Sequence, residues 1–292
     1  MWTVIDLHLH SSASDGSELP AELAERLAGA SVVALTDHDT TAGVAELAEH
    51  LDGSVELVVG AELSLATDHG TFHLLCYGAG LLEEPARSLL ATLAGDRRVR
   101  NETMLARAAE LGLELTEAEL LKAAGATSLD DKSVGRPHAA AVLVAKGYAT
   151  SIADAFARYL AKGCPLYVPK ARHRYEDVVG LLELAHVVTV VAHPLSLELA
   201  PADLEAELVR LRELGLVGIE AHYAAYKPDT RAELAALARR LGLVATGGSD
   251  AHGTFKPGLA PLVGYGDLVV DDAVAEDLLE VLARRGGRAS LY

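Results

Sequence analysis

The chain has 292 residues, half of them hydrophobic, with two cysteines and a formal net charge of −17. That length is enough to bury the core of one large α/β domain or two smaller ones. The acidic balance excludes a broad duplex-DNA-coating surface, and the distant Cys76 and Cys164 offer neither a disulfide framework nor a thiolate zinc site. No apolar run reaches membrane-spanning length and no basic-then-apolar leader opens the chain, so a cytoplasmic protein without a membrane partner is expected.

Residues 2–9 alternate as a strand, with Ile5, Leu7 and Leu9 on one face and Asp6, His8 and then His10 on the other. A helix is predicted over 20–29, a strand over 31–36, a helix over 41–51, and strands over 55–61 and 71–77. The link between the last two is too short for a crossover helix, so they pair as a hairpin. Residues 89–162 break the alternation: the pattern there predicts only helices, near 91–111, 116–124, 136–146 and 151–161. Thr116 and Glu119 have the spacing of a capping box. This stretch reads as a helical insertion in a domain made of residues 1–88 and 163–292. Helices at 175–186, 202–214, 229–241 and 272–284 then alternate with strands at 187–192, 216–220 and 243–247. Such alternation predicts an α/β fold with a parallel sheet or a closed (β/α) barrel.

Metal-ligand residue types recur where these strands end. His8 and His10 close the first strand, Asp37, His38 and Asp39 the second, and Glu62 the third; His73 lies in the fourth, and His193, Asp250 and His252 follow later ones. The C-terminal strand edge is where α/β sheets and barrels build their sites. Imidazole and carboxylate suit Zn, Mn, Fe or Co. Six imidazoles (His8, His10, His38, His73, His193, His252) and three carboxylates (Asp15, Glu62, Asp250) exceed what one tetrahedral ion needs. A cluster of two or three ions bridged by Glu62 fits better. His50, His69, His173 and His186 fall on helical, loop or turn segments and read as surface residues, while His222 follows a strand.

The motifs DLHLHSSASDG, ALTDHDTTAG, GAELS, TFHLLCYG, VVAHP and GGSDAHG, in that order, resemble those of the PHP (polymerase and histidinol phosphatase) phosphoesterases. GRPHAA in the insertion and YVPK after it resemble the nucleoside 3′,5′-bisphosphate phosphatase group, whose members also trim short RNAs as ribonuclease AM does. The resemblance implies a distorted seven-stranded (β/α) TIM-like barrel with a trinuclear centre, most commonly of manganese, with iron or zinc as competitors. Carried over by motif, His8, His10, Glu62 and Asp250 hold a first ion, Glu62, His73 and His193 a second, and Asp15, His38 and His252 a third.

The implied activity is hydrolysis of the 3′-phosphate of nucleoside 3′,5′-bisphosphates, and 5′-to-3′ trimming of short 5′-phosphorylated RNAs, by metal-activated hydroxide without a side-chain nucleophile. Asp6 and Asp39 are expected to orient ligand imidazoles. Arg136 and His138, at a predicted helix start, are expected to clamp the phosphate that is not cleaved, with Lys170 adding a contact. No obligatory protein partner is implied. Three other readings remain: another phosphomonoesterase such as a histidinol-phosphate phosphatase, a processive exonuclease or polymerase-associated proofreading module, and a non-catalytic metal-binding scaffold.

Overall fold

Seven strands, each hydrogen-bonded to its sequence neighbour, wrap into a nearly closed barrel in the computed structural model, which describes residues 4–126, 129, 134–169 and 173–291. They are β1 (Ile5–Leu9), β2 (Val32–Leu35), β3 (Glu56–Leu65), β4 (Phe72–Tyr77), β5 (Val188–Val191), β6 (Gly218–Tyr223) and β7 (Val244–Gly248). Strands β1, β2 and β3 run parallel, as do β5, β6 and β7; β4 is antiparallel to both of its neighbours. The expected β3–β4 hairpin is present, and pairing with β4 carries β3 on to Leu65, beyond the predicted end. Past β7 the chain meets β1: Asp250 N–H donates to His8 O at 2.7 Å and His10 N–H to Ala251 O at 3.2 Å.

That closure, and the β6–β7 pairing beside it, require small residues. A Cβ on Gly248 would lie 2.5 Å from both N and Cβ of His8, and one on Gly247 would lie 2.4 Å from the His222 Cβ. Strand β1 departs from simple alternation. Its register on β2 shifts between Asp6 and Leu9, and Leu9 joins a different apolar cluster from Ile5 and Leu7. A local irregularity of this kind re-aims side chains without ending the strand.

The helices are α1 (Pro20–Arg26), α2 (Val44–His50), α3 (Ala86–Glu110), α4 (Glu117–Ala124), α5 (Arg136–Ala145), α6 (Ile152–Ala155), α7 (Tyr175–Leu184), α8 (Pro201–Glu213), α9 (Pro228–Leu241) and α10 (Asp272–Arg284). The main core joins apolar residues of α1, α2, α7, α8 and α9 to the outer strand faces. A second cluster combines Ile5, Leu7, Leu75, Tyr77, Val188 and Val190 with Leu278 and Leu282 of α10. Helix α3 spans two environments. Leu89, Leu90 and Leu93 pack in the main core, whereas Met104 and Ala108 join a separate cluster with Leu120, Leu143 and Leu160. Thr116 caps α4 as its spacing predicted, accepting from Glu119 N–H at 3.3 Å while Glu119 Oε2 accepts from Thr116 N–H at 3.2 Å. No helix is long and apolar enough to cross a membrane among the described residues.

Candidate metal centre

The nine side chains singled out above converge at one rim of the barrel. His8 and His10 come from β1 and the residue after it, Asp15 from the following loop, and His38 from the turn after β2. Glu62 lies within β3, past the point where β2 ends, and His193, Asp250 and His252 follow β5 and β7. His73 corrects the simple picture of C-terminal strand ends. It lies near the start of β4, and because β4 runs against its neighbours, its first residues reach the same rim as their last. The chain bends sharply here. Asp39, His193 and Asp250 all have positive φ, a conformation that non-glycine residues adopt at a cost and that concentrates at functional sites.

Glu62 is the hub. Its Oε1 lies 3.0 Å from His73 Nδ1 and 3.2 Å from His193 Nε2, and its Oε2 lies 3.1 Å from His10 Nε2, 3.3 Å from His38 Nδ1 and 3.4 Å from His8 Nε2. Five nitrogens around one carboxylate exceed its roughly four lone-pair directions. Three groups each bring one donor atom per residue to within 4.8 Å of one another: His8, His10, Glu62 and Asp250; His10, Asp15, His38 and His252; and His38, Glu62 and His73. The first has the four members that the family resemblance assigns to one ion. The second adds His10 to the assigned three, and the last has His38 where the resemblance has His193.

Backbone and carboxylate acceptors fix the imidazole tautomers. His8 Nδ1–H donates to Glu220 Oε1 at 2.8 Å and His252 Nδ1–H to Asp250 O at 2.8 Å. Ser196 Oγ–H donates to Thr71 O at 2.9 Å, so it accepts from His193 Nδ1–H, also at 2.9 Å. In all three, the neutral ring keeps its lone pair on Nε2 and turns it toward the cluster, as a metal-ligating imidazole requires. Elsewhere, ring nitrogens crowd one another or a carboxylate with at most one proton between them. His8 Nε2 and His10 Nε2 stand 3.1 Å apart, and His10 Nδ1 is buried with no hydrogen-bond partner, 3.6 Å from Asp15 Oδ1. A cation resolves both contacts, so the donor set fits divalent metal ions.

The charge states agree. Burial disfavours the charged form of His8, yet Glu220, Asp250 and Glu62 hold it well above the usual imidazole value. Burial is likewise overcome at His10, which hydrogen bonds to Asp250 and Glu62 help raise to about 9. At His38 burial wins and the value falls well below the usual one; at His252 burial and the Lys256 ammonium lower it. Despite burial, the neighbouring imidazoles, and at Asp250 first the Lys256 ammonium, keep Asp15, Glu62 and Asp250 well below the usual carboxylate range. Without ions, protons on His8 and His10 supply part of the positive charge that the three carboxylates demand.

Several supporting residues have no distinguishing local pattern in the sequence. Glu220 is wholly buried in β6 and holds both His8 and the His193 N–H, the latter at 2.7 Å. Tyr223 OH donates to Asp250 Oδ2 at 2.9 Å, and Lys256 Nζ reaches the same oxygen. Asp37 gathers Ser11 and Ser14, shaping the loop that carries Asp15. Asp6 does not orient an imidazole as expected; its carboxylate accepts from the amides of His8, Ser249 and Leu262, bracing the β1–β7 junction. Asp39 Oδ1 accepts from Ser64 N–H at 2.9 Å. His222 lies in β6 beside Gly247 and belongs to none of the three groups.

A cleft of about 460 Å³ opens over the cluster, walled by Glu62, His73, His193, Tyr223, Tyr226, Asp250 and Lys256 among others. Arg136 and His138 are not among its lining residues. The Arg136 guanidinium carbon lies 5.8 Å from the Phe156 ring centre and 5.9 Å from that of Tyr167. His138 is buried at the start of α5, where Nδ1 accepts from Gly135 N–H at 3.0 Å and the ring stands edge-on to Phe255, three residues after His252. Lys170 lies outside the described residues.

No protein-family model matches the chain. The 3′,5′-nucleoside bisphosphate phosphatase of Chromobacterium violaceum is 34 % identical over 254 residues, covering 85 % of this chain and 87 % of that protein. The 5′-3′ exoribonuclease Rnm of Escherichia coli (strain K12) is 32 % identical over 256 residues, covering 85 % of each. A solved structure described as a metal-dependent phosphoesterase, from Bifidobacterium adolescentis, superposes with a TM-score of 0.83 at 29 % identity, covering 99 % of this chain and 98 % of that one. Likeness of that extent, over most of both chains, makes this protein a member of the PHP family of metal-dependent phosphoesterases, and so a hydrolase of phosphoric esters.

Proposed function

We propose that this enzyme removes the 3′-phosphate of nucleoside 3′,5′-bisphosphates and trims short 5′-phosphorylated RNAs from the 5′ end, using three divalent ions, manganese first among them. The observation that carries the reading is the crowding of five imidazole nitrogens around Glu62, flanked by Asp15 and Asp250. His8, His10, Glu62 and Asp250 would hold one ion, Asp15, His38 and His252 another, and Glu62, His73 and His193 the third. Oxygen and imidazole donors without thiolate suit manganese or iron as well as zinc. Bound there, such ions supply Lewis acidity, lowering the pKa of water and neutralising charge on a phosphoryl oxygen.

The chain's own residues prepare that chemistry. Glu220 and Ser196 hold the His8 and His193 rings with Nε2 directed inward. Tyr223 keeps one oxygen of Asp250 occupied, so that Oδ1 faces His8, His10 and His252 at 3.3–3.5 Å. The Tyr223 and Tyr226 rings, 4.9 Å apart, give the cleft an aromatic wall on which a nucleoside can lie. Residues 89–162 form a helical unit set on the barrel, with Arg136 receiving the uncleaved phosphate and Lys170 adding a contact. His138 supports that unit by packing its ring against Phe255. Two unpaired cysteines suit a reducing, cytoplasmic setting.

The test is phosphate release from 3′,5′-bisphosphates beside 5′-phosphorylated short RNAs, with manganese present. Turnover of both, abolished in Asp250→Ala, is the expected result. Manganese-loaded enzyme that cleaves neither but hydrolyses histidinol phosphate would overturn the substrate reading.

A further inference from the structure

We infer that Lys256 is a substrate-contacting residue whose ammonium group receives a non-bridging oxygen of the phosphoryl group admitted by the cleft. The inference rests on the phosphoesterase reading above and adds a contact outside the ligand set and the helical insertion. Among the described residues that line the cleft, Lys256 is the one lysine or arginine. An incoming phosphate meets two carboxylates, Glu62 and Asp250, in the same walls. A fixed positive charge on the side of Asp250 that faces away from the imidazoles offsets part of that repulsion.

Lys256 occupies that side. Its Nζ lies 2.5 Å from Asp250 Oδ2, the oxygen that also accepts from Tyr223 OH. An ammonium group carries three donors, and Asp250 takes one of them. The side chain is 39 % exposed and lines the cleft, so the ammonium has donors left to offer an incoming anion. The turn that presents Lys256 is held from two directions. Thr254 N–H donates to Ser17 Oγ at 2.8 Å, and the Phe255 ring packs on His138 of the insertion. The ammonium is thus pre-positioned beside a cluster ligand by contacts from both the barrel and the insertion. Pre-positioned charge of this kind costs little to engage when substrate arrives.

Inorganic phosphate serves as the probe, because its binding to the manganese-loaded protein is measured by calorimetry without turnover. Lys256→Gln is expected to weaken phosphate binding by about ten- to a hundredfold, the size of one lost charge-assisted contact. Manganese content and melting temperature should match the parent, and Lys256→Arg should recover most of the affinity. With a bisphosphate as substrate, KM should rise in Lys256→Gln in step with the phosphate dissociation constant. The inference is overturned if Lys256→Gln binds phosphate as the parent does. It is also overturned if the loss disappears when manganese is raised to saturation, since Lys256 would then serve Asp250 alone. A parent protein that binds phosphate through Lys256 yet cleaves no nucleotide would sink the bisphosphatase reading and leave this contact standing.

Discussion

Glu220→Gln tests whether the cluster depends on a buried acceptor pair beneath it. Glu220 Oε1 accepts from His8 Nδ1–H at 2.8 Å and Oε2 from His193 N–H at 2.7 Å. Both neighbours are donors, and a glutamine offers one acceptor and one donor in their place. If its oxygen serves His193, its NH₂ confronts His8 Nδ1, and the imidazole must move its proton to Nε2. The lone pair facing His10, Glu62 and Asp250 is then lost. With the amide turned the other way, the His193 N–H is buried against a second donor. Leaving such a donor unpaired costs about 1–3 kcal/mol, and disturbing the hydrogen bond behind a ligand imidazole typically costs about 10–100-fold in metal affinity. The expected result is a manganese dissociation constant raised by that factor, measured by calorimetry on chelated protein, with an unchanged circular-dichroism spectrum. A manganese affinity equal to the parent's would refute the argument that Glu220 sets the His8 tautomer.

The remaining predictions use other levers. In metal-free protein the His10 proton stabilises the fold fully below the unfolded imidazole value of about 6.5, and that stabilisation is lost as pH rises through about 9. The melting temperature of chelated protein should therefore fall across that window while manganese-loaded protein holds; His38 and His252, shifted down, act only at lower pH, and a flat profile for the chelated form would contradict the assignment. Arg136→Ala should raise KM for a bisphosphate and spare a generic aryl phosphate, with a stability loss of about 1 kcal/mol from its contacts to Phe156 and Tyr167; equal kinetic loss on both substrates would argue against a selective clamp. Gly248→Ala should lower the urea midpoint by the equivalent of about 1–3 kcal/mol by forcing β7 away from His8, and an unchanged midpoint would show that the junction yields freely.

What the sequence made legible follows from how local each constraint is. The period-two pattern of β1 set His8 and His10 on one face, and the short link after Glu62 required a hairpin. That hairpin already turns the start of β4, and His73 with it, toward the rim where β3 ends; the antiparallel pairing of β4 with β5 has no such local mark and emerged only from strand order. Glu220 sits in an ordinary apolar strand, and its partner His8 lies 212 residues away. Lys256 falls in a Gly- and Pro-rich loop without periodicity, and its place beside Asp250 depends on a turn pinned by Ser17. Asp6 read as an imidazole partner because it alternates with His8; the junction with β7 instead brings the Ser249 and Leu262 amides to it. The imidazoles and carboxylates that converge were readable by type and position, whereas Glu220, Tyr223 and Lys256, which hold or flank them, were not.

The same electrostatics gives an order to binding. Asp15, Glu62 and Asp250 bring −3 to the centre, and in metal-free protein the His8 and His10 protons and the Lys256 ammonium do no more than offset it, which leaves no net charge to attract a phosphate dianion. The three proposed ions add about +6 and turn the centre positive. Charge on the acidic exterior is screened over about 8 Å at physiological salt, so the cleft's own charge governs the final approach. Substrate affinity is therefore conditional on metal, and linkage makes the dependence reciprocal: phosphate must tighten manganese by the factor by which manganese tightens phosphate. An acidic chain can take an anionic substrate because the charge that matters is concentrated where six imidazoles and three carboxylates leave room for cations.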